Sequence, residues 1–160
     1  MGYSEKVARQ LKNYLDKQRV RYEFHEDEGY FKVLYTLERS KLGHYSAFYD
    51  VREMGVVIDA FPSITVPMDD ISVMHKLLEF MCRINNAKTL GSFSLSFETG
   101  EIVYHCMLLC DDGVLNLASF NWYCLMVDLM MESYTDGFLS IIYGNTDPEK
   151  VFQDIERKSN

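Results

Sequence analysis

The sequence predicts an α+β fold: a helix, an antiparallel strand meander, a second helix, a β-hairpin, a long helix and a short C-terminal helix. Three observations carry this reading. Strand-forming runs separated by short turns crowd residues 20–61. Phe93, Leu95 and Phe97 alternate with serines before a Glu98-Thr99-Gly100-Glu101 turn. Apolar side chains recur at helical spacing before, between and after these two blocks. Strands gathered in blocks, rather than alternating singly with helices, make an antiparallel sheet with helices packed on it.

Val7, Leu11, Tyr14 and Leu15 predict an amphipathic helix over residues 3–18, with a basic polar face built from Lys6, Arg9, Lys12 and Lys17. Strands are expected at 20–26, 30–38, 45–51 and 56–61, with turns at Asp27-Glu28-Gly29, around Gly43 and at Glu53-Met54-Gly55. Pro62 and Pro67 end the meander, and Asp69 or Asp70 caps a helix whose positions Ile71, Met74, Leu77, Leu78, Met81 and Ile84 cover a wide apolar arc. That helix stops near Asn85-Asn86. The hairpin follows, and its return strand, 102–110, is apolar on both faces, which suits an interior or interface position. A long helix opens near Asn116 or Ser119 and runs to Tyr143 with Gly144 as C-cap, and Asp147-Pro148-Glu149 starts a last helix carrying Val151, Phe152 and Ile155.

The chain of 160 residues reads as one domain, 1–160, with 48% hydrophobic residues and three prolines, which excludes disorder and low complexity. Its net charge is −8, and residues 89–149 hold nine acids and no Lys or Arg. A continuous phosphate-binding stripe needs cations that most of the chain lacks, so nucleic acid is not an expected partner. With no apolar run of 18 residues and no export-type leader, a membrane span is not expected and the protein is placed in the cytoplasm. Cys82, Cys106, Cys110 and Cys124 lie in apolar surroundings and are expected to be reduced.

Chemistry is hard to build from these residues. Cys106 and Cys110 on a strand stand about 13 Å apart, too far to share one tetrahedral metal. His105 and Cys106 are adjacent, so on a strand they leave from opposite faces and cannot form a dyad. His25, His44 and His75 fall on separate elements, and the acidic pairs occupy turns and helix starts. No phosphate-cradling loop, nucleophile elbow or zinc-protease helix motif is present, and neither a catalytic site, a metal nor a cofactor is expected.

The long helix is the unusual element. Asn121, Asp128, Glu132 and Asp136 form only a narrow polar stripe in otherwise apolar sequence, so something covers a second side of the helix. The cover is either the rest of the chain or a partner. Trp122, Met126 and Met130 follow one another at i,i+4 and are the candidate partner-binding row. The combined apolar surface of this helix, the 71–85 helix and the 102–110 strand predicts a homodimer.

The order of elements resembles the fold of type III secretion chaperones. Within it, Val66-Pro67, Ile84-Asn85, Leu90-Gly91-Ser92-Phe93-Ser94-Leu95, Gly100-Glu101-Ile102-Val103-Tyr104, Ile141-Ile142-Tyr143-Gly144 and Asp147-Pro148-Glu149 make residues 55–155 similar to the YbjN family of bacterial sensory-transduction regulators. The resemblance implies a noncatalytic cytoplasmic protein, often dimeric, tied to regulation or stress, that binds protein segments as secretion chaperones do. A small-ligand sensor with an apolar pocket is the alternative expectation.

Overall fold

The computed structural model describes residues 2–159. Helix α1 (Glu5–Lys17) starts at Ser4, whose hydroxyl accepts from the Val7 N–H, and buries Val7, Leu11 and Leu15 completely. Strands β1 (Tyr22–His25), β2 (Tyr30–Thr36), β3 (His44–Val51) and β4 (Gly55–Pro62) form the meander. Helix α2 (Ile71–Ala87) is capped by Asp70, then β5 (Ser92–Leu95) and β6 (Ile102–Leu109) make the hairpin. Helix α3 (Leu117–Gly144) is capped by Asn116, and α4 (Pro148–Ser159) by Asp147, which accepts from the Lys150 N–H.

All six strands join one antiparallel sheet in the order β1-β2-β3-β4-β6-β5. The excursion through α2 and β5 returns the chain so that β6 pairs with β4 and β5 becomes an edge. Its inner face carries Phe31, Tyr45, Tyr49, Ile58, Tyr104 and Cys106, all buried. The helices lie on that face: Phe120 of α3 meets Tyr49 of the sheet and Tyr14 of α1 edge-on, while Phe80, Phe93, Tyr134 and Phe138 tie α2, β5 and α3 together. Gly137 lets α3 and α2 close up, because a Cβ there would stand 2.6 Å from the Phe80 ring. No helix among the described residues is long and apolar enough to cross a membrane.

The structure departs from the sequence reading at element ends and edges. The left-handed residue after α3 is Asn145, at φ 50°, with Gly144 still helical. β5 ends at Leu95, which leaves Phe97 exposed, and Ile71 on the first turn of α2 is exposed too. The strand β6 is interior, but only one face is covered. Met107 and Leu109 look outward from the sheet.

Candidate functional site

The proposed row on α3 does not lie on one surface. Trp122 is 51% exposed, Met126 is half-buried and Met130 is 4% exposed, inside the core. The reason is geometric: each i,i+4 step advances about 40° beyond a full turn, so two steps carry the row roughly 80° around the helix, from solvent into the interior. The outward line is instead Ala118, Trp122, Leu125 and Leu129, with Leu125 60% and Leu129 46% exposed. Spacings of four and three residues alternate there, so the drift cancels.

The polar stripe beside it is not simply solvated. Asn121 accepts from the Tyr14 hydroxyl at 2.6 Å, and Asp128 from the Tyr45 hydroxyl at 3.4 Å. Glu132 accepts from the backbone N–H groups of Glu38, Arg39 and Ser40 at 2.5, 3.1 and 3.1 Å. Asp136 takes the Ser40 hydroxyl and the Lys41 N–H at 2.8 and 2.9 Å. Four polar side chains thus dock α1, β3 and the β2–β3 loop onto α3. Burial, then the nearby Glu132 charge, holds the Asp128 carboxyl above its usual range, with the Tyr45 hydrogen bond working the other way.

Among the described residues, no helix packs on the outer face of the sheet. Strand register builds one row across all six strands: Glu23, Lys32, Phe48, Asp59, His105 and Ser92. The Lys32 ammonium lies 5.8 Å from the centre of the Phe48 ring, and His105 Nδ1 stands 2.5 Å from an Asp59 oxygen. Phe48 packs against Tyr30 on one side and Phe61 on the other, at 5.9 and 5.5 Å between centroids. These three rings line a groove of about 790 Å³ that is bordered by the acids Glu28, Asp50, Asp59 and Glu101. Lys32 and Arg52 are its cations, and Arg52 pairs with Asp50.

Sequence reasoning did not find this groove. A signal was present: Phe48 shares its phase with Ser46 and Asp50, and Phe61 shares its phase with Val57 and Asp59. Aromatic rings in step with polar residues mark an outer face that does more than meet solvent. The Asp59–His105 pair was hidden for another reason, since β4 and β6 are separated in the chain by a helix and a strand.

The cysteines are spread through the fold. His105 and Cys106 do leave opposite faces of β6, and Cys106 is buried beneath the helices. Burial, then the Cys124 and Asp59 charges, pushes the Cys106 thiol up to about 12, and burial pushes Cys124 up to about 11 despite a hydrogen bond with Tyr49. Thiols so placed are protonated near neutrality and are poor nucleophiles. Among the described residues, no group of three or more His, Cys, Asp or Glu side chains is placed to hold a metal ion. No family model matches the chain, and no curated protein matches it either.

Proposed function

We propose that the protein is a noncatalytic cytoplasmic regulator or chaperone-like adaptor that works as a homodimer and binds a protein segment on the open face of its sheet. The observation that carries this reading is the groove floored by Tyr30, Phe48 and Phe61, on the outer face of the sheet. Around those rings, four acids stand against two cations, and both cations already have internal partners in Phe48 and Asp50. The occupant that such a surface suits is a segment presenting apolar and basic side chains, since rings take apolar or cationic groups and the unbalanced acids take the charge. The resemblance of residues 55–155 to the YbjN family, and of the order of elements to secretion chaperones, suits the same reading.

The test replaces Phe48 and Phe61 together by Ser in the full chain. Both side chains are outside the core, so the fold is retained and the cellular role is lost. The companion variants His44→Gln and His75→Gln, made singly at histidines that do not line the groove, leave the role intact. Loss of the role through one of these histidine changes, with melting unaltered, would contradict the noncatalytic reading; full function in the Phe48/Phe61 variant would contradict the groove.

A further inference from the structure

The outward stripe on α3 has an internal symmetry that bears on how two copies meet. Ala118, Trp122, Leu125 and Leu129 are spaced four, three and four residues apart, a pattern that is the same read in either direction. It holds the four side chains within about 60° of one line on the helix, the geometry of a coiled-coil seam. Residues 117–127 carry no charge at all. An isolated surface helix has no need of such a stretch, and here it is matched to itself.

The sizes are complementary under reversal. A second copy laid antiparallel sets Trp122 against Leu125 and Ala118 against Leu129, large beside small at the outer layers. Ala118 lines a groove of about 650 Å³ between α1 and the start of α3, with Tyr14, Lys17, Leu117 and Asn121 around it. The half-exposed Leu129 is the knob for that hole. Charge selects the same orientation. Antiparallel packing sets Asp128 opposite Ser119, beside the groove that Lys17 borders, whereas parallel packing would stack Asp128 on Asp128 and Glu132 on Glu132.

We infer that α3 is the homodimer interface, with the two helices antiparallel about a twofold axis that passes between Trp122 and Leu125. This rests on the homodimer reading above and names the surface that makes it. A seam of roughly 16 Å along each helix is a small interface, so its association is sought across the micromolar range.

The test is sedimentation equilibrium of the full chain across that range, with circular dichroism as a check on folding. Ala118→Leu overfills the layer and weakens association about tenfold or more, and Leu129→Ala weakens it similarly. Combining the two returns association to near the unmodified level, because a leucine then again faces an alanine, now from the other side. Leu125→Glu gives a folded monomer and supplies the same answer if the Ala118 variant fails to fold. A combined variant as weak as its parents, or a dimer indifferent to all these changes, would overturn this interface while leaving the homodimer standing. A chain that is monomeric throughout would overturn both.

Discussion

The side-chain amide of Asn85 makes both backbone hydrogen bonds of Phe93: its Nδ2 donates to the Phe93 carbonyl at 2.9 Å, and its Oδ1 accepts from the Phe93 N–H at 2.8 Å. A residue near the end of α2 thereby acts as a short stand-in strand along the edge of β5. It satisfies two groups that an added strand from another chain would otherwise seek. Asn85→Ala leaves them without that partner and is expected to cost about 1–3 kcal/mol of stability. Urea unfolding measures the loss, and hydrogen exchange at Phe93 rises with it.

Glu132 anchors the β2–β3 loop through three consecutive backbone N–H groups. Glu132→Ala is expected to loosen that loop rather than unfold the protein, since Asp136 still holds Ser40 and Lys41. Brief trypsin treatment followed by mass spectrometry reads this as faster cleavage after Arg39 and Lys41. An unchanged cleavage rate would mean that the carboxylate contributes no local order.

What the sequence made legible was set by local physics. The caps Asp70, Asn116 and Asp147 and the turn glycines Gly29, Gly43 and Gly100 act within a few residues, and they placed elements to within a turn or so. What stayed hidden was set by register and by azimuth. Glu132 and Asp136 read only as members of a narrow polar stripe because their partners are about 95 residues away in the chain. Met130 looked like a continuation of Trp122 because i,i+4 neighbours do touch, but the small rotation per step accumulates. The rings of the groove come together through the pairing of β2, β3 and β4, which no single strand encodes.

Burial divides α3 into two energetic classes. Met130→Ala removes a core side chain and is expected to cost about 2–5 kcal/mol through the cavity it leaves. Leu125→Ala, on the exposed line, is expected to move the unfolding of the monomer by no more than about 0.5 kcal/mol. Equal effects in dilute chemical denaturation would mean that the assignment of inner and outer faces is wrong.

Two carboxylates give opposite pH dependences. Burial raises the Glu156 pKa, but hydrogen bonds from Tyr134 and Lys88 outweigh it and leave the group below its ordinary 4.5. Its contribution to stability is therefore complete above about 4.5 and is lost as pH falls through the lower folded value. Asp128 is raised by burial, so its native environment favours the protonated form and its contribution declines as pH rises. Glu156→Gln is expected to flatten the acid limb of the stability profile. Asp128→Asn, which keeps an acceptor for Tyr45, is expected to stabilise the protein near neutral pH. Urea midpoints taken across the acid range check both signs.

The groove on the open sheet face is the centre of the functional account, and photo-crosslinking in the cells that make the protein tests it most directly. A benzophenone side chain at position 61, within the groove, is expected to yield a discrete crosslinked protein species that Phe48→Ser abolishes. The same side chain at Tyr143, on the exposed end of α3, is expected not to yield it. No crosslinked protein from position 61, or an identical species from both positions, would contradict the account.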